Sequence, residues 1–158
     1  QFVFFDDITD NNNPLSVRCI AHERPLAELA PDLVAGSVSR YNFIVPGGCH
    51  SMHNSCNGQN QIQQGDDWLA SIVPSILASS AYKQNGLLII VWDEARHGDG
   101  PVPMFVLSPL AKGKGYTNNI PYTHSSTLRT IEEIFGVTPL LGDAANQPDL
   151  SDLFTVFP

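Results

Sequence analysis

The run LLIIVW at residues 87–92 decides the fold of this chain. It is apolar at six consecutive positions, rich in β-branched side chains, and followed at once by two carboxylates, Asp93 and Glu94. A half-buried strand alternates apolar and polar residues, whereas an unbroken apolar run is typical of a strand that is covered on both faces in a parallel sheet. We therefore predict a buried strand here.

Further strands are predicted on both sides of this run. Short apolar segments at residues 1–5, 40–45 and 102–107 end in turn-forming residues, which is the pattern of a strand followed by a loop. Residues between the second of these strands and Gly65 are almost entirely polar. A loop of that length is usually functional or disordered.

Helical spacing of apolar residues fills the intervals between the strands. It predicts a helix near residues 25–35, a second that is capped by Asp66 or Asp67 and kinked at Pro74, and a third at 125–135. Alternating strands and helices predict an α/β fold with a mostly parallel, layered sheet. The length of 158 residues predicts a single domain over 1–158.

The charge balance excludes one class of partner. The chain carries a formal net charge of -8 and has no run of basic residues, so we expect no nucleic-acid partner. No stretch of about 18 apolar residues occurs, and we expect no membrane span.

The cysteines leave three interpretations open. Cys49 and Cys56 bracket a short polar loop and favour a disulfide. Two free thiols, or a zinc site that adds His50 and His53, are the alternatives, although the spacing matches no established zinc knuckle. Cys19 is left without a partner, which suggests a buried thiol or a partner segment elsewhere.

Candidate chemistry follows the predicted strands, because ligand sites of open parallel sheets lie beyond the carboxyl ends of the strands. His53 follows one strand, Asp93 and Glu94 follow another, and His124 opens the last helix, where the dipole favours an anion. Carboxylates with separated histidines are ligands for a divalent metal ion in hydrolysis. We predict that these four side chains converge in one pocket.

Each of these residues also has a simpler interpretation. Asp93 and Glu94 are as well placed to cap a turn as to do chemistry, and a histidine that opens a helix is more often structural. His97 lies in a turn rich in Gly and Asp, where a solvated side chain is expected. Ser125 and Ser126, next to His124, are interpreted as helix caps rather than as nucleophiles.

Several common enzyme signatures are absent from the sequence. It has no Gly-x-Ser-x-Gly elbow, no phosphate-binding loop that ends in Gly-Lys-Ser/Thr, and no Gly-x-Gly-x-x-Gly after a strand. The corresponding enzyme classes are set aside.

Several segments together resemble the phosphoesterase family, which holds fungal acid phosphatases and bacterial phospholipases C. The segments are 41–46, CHSMH at 49–53, GDDWL at 65–69, WDE at 92–94, 103–109 and YTHSSTLRTIE at 122–132. They cover nearly the whole chain in the family's order. The resemblance implies the C-terminal half of a fold similar to that of the alkaline phosphatase superfamily.

Roles for individual residues follow from the resemblance. It implies that Asp93 and Glu94 bind a metal and that His53 and His124 are catalytic. One departure is that the Asn-Asp pair before the family's loop histidine is His50-Ser51 here. Another is that the family's Glu-Asn metal motif and Ser or Thr nucleophile belong to an N-terminal half, which implies an N-terminal half or second chain as a partner.

Two functions of different classes remain. The first is a phosphoric-ester hydrolase of the acid phosphatase type, or a fragment or subunit of one, that acts on a phosphate ester or another anion. The second is a noncatalytic binding protein on a degenerate phosphatase-like half domain, because a fold does not fix a function. The cysteine pattern and the resemblance also imply a secreted or extracellular protein.

Overall fold

A computed structural model describes residues 2–95 and 100–157. The chain divides into two compact units, Gln1–Ser80 and Ala81–Pro158, and each unit is described by itself. That the two units form a single domain over residues 1–158 stays a prediction. No helix in the described ranges is long and apolar enough to cross a membrane.

The first unit is helical. Short 3-10 helices at Phe2–Phe4 and Leu26–Glu28 accompany its α-helices, which are α1 (Asp6–Thr9), α2 (Val17–His22), α3 (Leu29–Ala35) and α4 (Gln61–Ala78). The helix predicted at residues 25–35 is confirmed as the second 3-10 turn plus α3. It ends at Gly36, whose φ of 70° is the left-handed conformation that glycine adopts without strain.

Helix α4 begins earlier than predicted. The Asn60 side chain accepts hydrogen bonds from the backbone N–H groups of Ile62 and Gln63, so Asn60 is the cap. Asp66 and Asp67 lie within the helix, and the prediction that they cap it was wrong. The sequence pattern missed the first turn because its residues are polar and show no apolar periodicity. Local hydrogen bonds to Asn60, and not burial, start the helix.

The second unit contains the only sheet in the described part of the chain. After the short helix α5 (Ser80–Lys83), strand β1 (Leu88–Val91) pairs with β2 (Met104–Leu107) in antiparallel register. Both strands were predicted near these positions, and the mixture of helix and strand is confirmed. The predicted mostly parallel sheet is not found in the described residues, whose two strands run in opposite directions.

Two other predicted strands were wrong. Residues 2–4 form a 3-10 turn, and residues 42–47 have no regular secondary structure. A short apolar segment becomes a strand only where another strand supplies the hydrogen-bond ladder, and β1 and β2 pair with each other. The prediction that the run at 87–92 is a strand covered on both faces was also wrong, because a two-stranded sheet leaves its faces partly open, with Val91 39% and Phe105 54% exposed.

Helix α6 (His124–Phe135) is the main helix of the second unit, as predicted. Thr123 and Ser126 form a capping box at its start, and Gly136 ends it with φ 65°. Its buried face is polar. The Thr130 hydroxyl donates to Ser126 O and accepts from the N–H of Leu150, both at 2.9 Å, and all three residues are fully buried.

The C-terminal segment is also tied to the loop that precedes α6. Asp152 accepts hydrogen bonds from Lys112 at 3.1 Å, Tyr116 at 2.8 Å and Asn118 at 2.6 Å. Backbone bonds from Lys112 to Leu153 and between Leu110 and Thr155 continue this contact. The loop that leads into His124 therefore has a defined position.

Replacing Thr130 with Val should destabilise the protein by about 1–3 kcal/mol, because the N–H of Leu150 would stay buried without an acceptor. Denaturant unfolding measures the loss. Thr127→Val is the matched control on the same helix, since the Thr127 hydroxyl has only a 4.0 Å contact with Met104 Sδ. A control as damaging as Thr130→Val would contradict the assignment.

Stability should fall at acid pH partly through Asp152. Hydrogen bonds from Asn118, Tyr116 and Lys112 lower the pKa of this carboxyl to about 2. A lowered pKa in the folded state stabilises the protein above the ordinary value of 3.8, and that contribution is lost as the pH falls towards 2.

The gap in unfolding free energy between the wild type and Asp152→Asn should therefore narrow from pH 5 to pH 2, as followed by urea unfolding at each pH. Asp66→Asn, at an exposed helix position, is the control. A gap that does not change with pH would count against this role of Asp152.

Candidate functional site

The candidate site lies at one end of the sheet in the second unit. Strand β1 ends at Val91, which pairs with Met104 at the start of β2. Asp93 and Glu94 follow β1 directly. The contact of Thr127 with Met104 brings the first turns of α6 to the same end of the sheet. Three elements therefore meet where the chemistry was predicted.

His124 contacts the chain immediately after β1. Its Nε2 lies 2.8 Å from the carbonyl oxygen of Asp93. Because a carbonyl oxygen only accepts, Nε2 carries the proton in this contact, and the neutral ring keeps a lone pair on Nδ1. His124 is an exposed residue, and this contact fixes one side of its ring.

The acidic pair is exposed. Asp93 Oδ1 accepts the N–H of Glu94 at 3.0 Å, which is the turn-capping role considered above, and both residues are exposed. In the described residues, no group of three or more His, Cys, Asp or Glu side chains is placed to hold a metal ion. Within residues 2–95 and 100–157, Asp93 and Glu94 are therefore not part of a complete metal-binding group.

The start of α6 adds a second feature for anions. The Thr123 hydroxyl accepts the N–H of Ser126, and the Ser126 hydroxyl in turn accepts the N–H of Thr123 at 3.1 Å. Ser126 is fully buried and has a capping role. The helix has 12 residues, and the positive end of its dipole lies beside His124.

The loop of the first unit is closed by a disulfide. Cys49 and Cys56 are bonded, with Cα atoms 5.6 Å apart, so the thiol and zinc alternatives were wrong. Cys19 is a free, half-buried thiol. His53 is exposed on this loop, with Nδ1 2.9 Å from Asn54 Oδ1.

The predicted site residues are therefore only partly brought together. His124 meets Asp93, with Glu94 adjacent, in the second unit, whereas His53 lies in the first. The convergence of all four stays a prediction. His97 lies outside the described residues.

The sequence analysis missed one arrangement in the first unit. The imidazole of His50 stacks on the Trp68 indole at 6.1 Å between ring centroids and 12° between ring planes. Gly65 is buried on α4 and faces the loop, because a Cβ there would lie 2.8 Å from Met52 Cε and 3.2 Å from the His50 carbonyl oxygen. A glycine within a helical pattern was the available signal for this close approach.

Comparison with protein families identifies the family of the chain. A sequence profile of the Phosphoesterase family matches residues 5–138. The chain belongs to the Phosphoesterase family, which indicates phosphoric-ester hydrolysis at the level of the family. Searches of curated proteins and of solved structures gave no significant match.

Replacing Gly65 with Ala should destabilise the first unit by about 1–3 kcal/mol, because the added methyl overpacks the contact with Met52 and His50. Alanine otherwise stabilises a helix interior relative to glycine, so a loss of stability in Gly65→Ala distinguishes overpacking from helix propensity. Thermal unfolding measures the loss, and tryptophan fluorescence detects a disturbed Trp68. Gly47→Ala is the control, since a Cβ there has open space. A stabilised Gly65→Ala variant would contradict the predicted close packing.

Proposed function

We propose that this chain carries part of the active site of a phosphoric-ester hydrolase of the acid phosphatase type. The single observation that supports the proposal most is the contact of His124 with the backbone of Asp93 in a chain that belongs to the Phosphoesterase family. The contact places an imidazole, two carboxylates and a helix N-terminus at one end of a sheet.

His124 is the proposed catalytic group of the second unit. Its Nε2–H is held by the Asp93 carbonyl, which orients the ring, and Nδ1 is the nitrogen proposed to meet the substrate. In the neutral form Nδ1 accepts a proton, and in the charged form it pairs with a phosphoryl oxygen. The positive end of α6 favours the same anion.

Asp93 and Glu94 are proposed to supply ligands to a divalent metal ion. They provide two carboxylates, and the remaining ligands and the nucleophile are proposed to come from an N-terminal half or a second chain. The resemblance of the segments at 92–94 and 122–132 to the family supports this division.

His53 is proposed as a second catalytic histidine. It is exposed on a loop that a disulfide restrains, and the loop resembles the family's histidine motif. The disulfide is compatible with an oxidising compartment, and we propose that the protein is secreted.

The proposal is tested with inorganic phosphate and p-nitrophenyl phosphate on the full 158-residue chain. We expect phosphate to perturb the NMR signals of His124 and of the backbone N–H of Ser125, because these groups face the anion. Turnover by the chain alone should be weak, since no nucleophile is recognised in it. Added divalent metal should raise any turnover and the affinity for phosphate.

Asp93→Asn, Glu94→Gln and His124→Asn are the informative variants. Asp93→Asn and Glu94→Gln should abolish the metal response. His124→Asn should lower any turnover by about 10²-fold or more, as expected for loss of a general acid or base. His22→Asn is the matched control, because this exposed histidine contacts only the Arg18 carbonyl in its own helix turn.

Two results separate the alternatives. Phosphate that binds at His124 without hydrolysis under any metal, even with an added N-terminal half, would favour the noncatalytic binding protein. Phosphate that leaves His124 unperturbed would remove the proposed site. If His53 shifts together with His124, the two histidines share the ligand.

A further inference from the structure

The first unit contains a polar pocket that the proposed hydrolysis does not use. It forms where the disulfide-closed loop packs on the first turns of α4, and its volume is about 280 Å³. We call it the loop pocket. Its lining residues are His50, Gln59, Gln64, Asp67, Trp68 and Ser71.

Hydrogen bonds inside the protein determine which groups the side-chain amides of Gln59 and Gln64 present to the loop pocket. Gln64 Oε1 accepts the N–H of Cys56 at 3.0 Å, and Gln64 Nε2 donates to Gln59 Oε1 at 3.2 Å. Both amide oxygens are therefore engaged within the protein. The amide groups consequently present N–H donors to the loop pocket.

The opposite wall presents acceptors. Asp67 Oδ1 accepts from Gln63 at 2.8 Å, which orients the carboxylate and leaves Oδ2 as an acceptor. The Ser71 hydroxyl donates to the Trp68 carbonyl at 2.6 Å, so its oxygen lone pairs face outward. Donors and acceptors thus lie on different walls of one small pocket.

This arrangement selects among ligand classes. The Asp67 carboxylate disfavours an anion, and the amide N–H donors on the other wall disfavour a cation. Adjacent hydroxyl groups of a sugar both donate and accept, which matches the two walls. The volume is near the lower end of the range for small-molecule sites, about 300–1,000 Å³, and suits a single ring.

The stacked rings of His50 and Trp68 add a flat wall. Their planes are nearly parallel, at 12°, so the two rings cover each other on one side, and an outer ring face is the surface that suits the C–H face of a pyranose ring. The Cys49–Cys56 disulfide and the close contact at Gly65 hold the loop on α4 before any ligand arrives. A preformed pocket lowers the ordering cost of binding.

We propose that the loop pocket binds the ring of a neutral hexose. The proposal concerns the first unit alone and does not depend on the proposed hydrolysis.

The test is an NMR titration of the full chain with methyl glucoside, methyl galactoside and methyl mannoside, with choline and inorganic phosphate as charged comparators. At least one glycoside should give saturable shifts at His50, Gln59 and the Trp68 indole, with a Kd on the order of 1–10 mM. Choline and phosphate should leave these three signals in place. Phosphate shifts at His124 report on the proposed hydrolysis independently.

Asp67→Asn should raise the glycoside Kd about tenfold, because a charged acceptor is lost. Gln59→Ala, in the exposed loop, is the second variant and should raise the Kd about fivefold. Asp66→Asn is the matched control, since Asp66 is an adjacent exposed carboxylate that does not line the pocket; its Kd should change by less than about twofold.

Three outcomes would overturn the proposal. One is the absence of saturable shifts up to about 50 mM of every glycoside. Another is a response of the pocket signals to choline or phosphate instead of a sugar. The third is an equal loss of glycoside binding in Asp66→Asn and in the two pocket variants.

Discussion

The second unit depends on one buried hydroxyl. Thr130 donates to the helix carbonyl of Ser126 and accepts the N–H of Leu150, so a single side chain joins α6 to the C-terminal segment. All three residues are fully buried. A buried polar group costs little only while each partner is satisfied, and this requirement sets the position of the helix. His124 opens that helix, and its place beside Asp93 follows from the same anchor.

Polar anchoring recurs because the apolar core is small. The fully or nearly buried apolar side chains among the described residues are Leu33, Ala144, Leu150 and Phe154. Directional hydrogen bonds therefore hold the segments together alongside this small core. Glu132 is buried and accepts the N–H of Leu141 through its carboxylate, and Asp152 collects three donors from the loop before α6. Such contacts fix positions more strictly than apolar burial, which is non-directional.

The two units prepare their polar groups in different ways. In the second, a backbone carbonyl fixes the protonated nitrogen of His124 and the helix dipole adds a positive field. In the first, a covalent bond closes the loop, and Gly65 lets the loop approach the helix. Each arrangement orders its groups before a ligand binds, so little ordering entropy is lost on binding.

The sequence by itself determined the local elements that rest on strong periodic or capping signals. The strands around residues 87–92 and 102–107 and the helices ended by Gly36 and Gly136 were predicted from such signals. The spacing of Cys49 and Cys56 favoured a disulfide but left two alternatives open, and the structure contains the disulfide. The family was also recognised, because its motifs are local in sequence. Tertiary structure alone decided the rest. Residues 40–45 look like a strand but form none in the structure, and strand pairing direction depends on residues far apart in the chain. The contact of His124 with Asp93 spans 31 residues, and the stack of His50 on Trp68 needs a buried glycine between them, so neither is encoded in any local pattern.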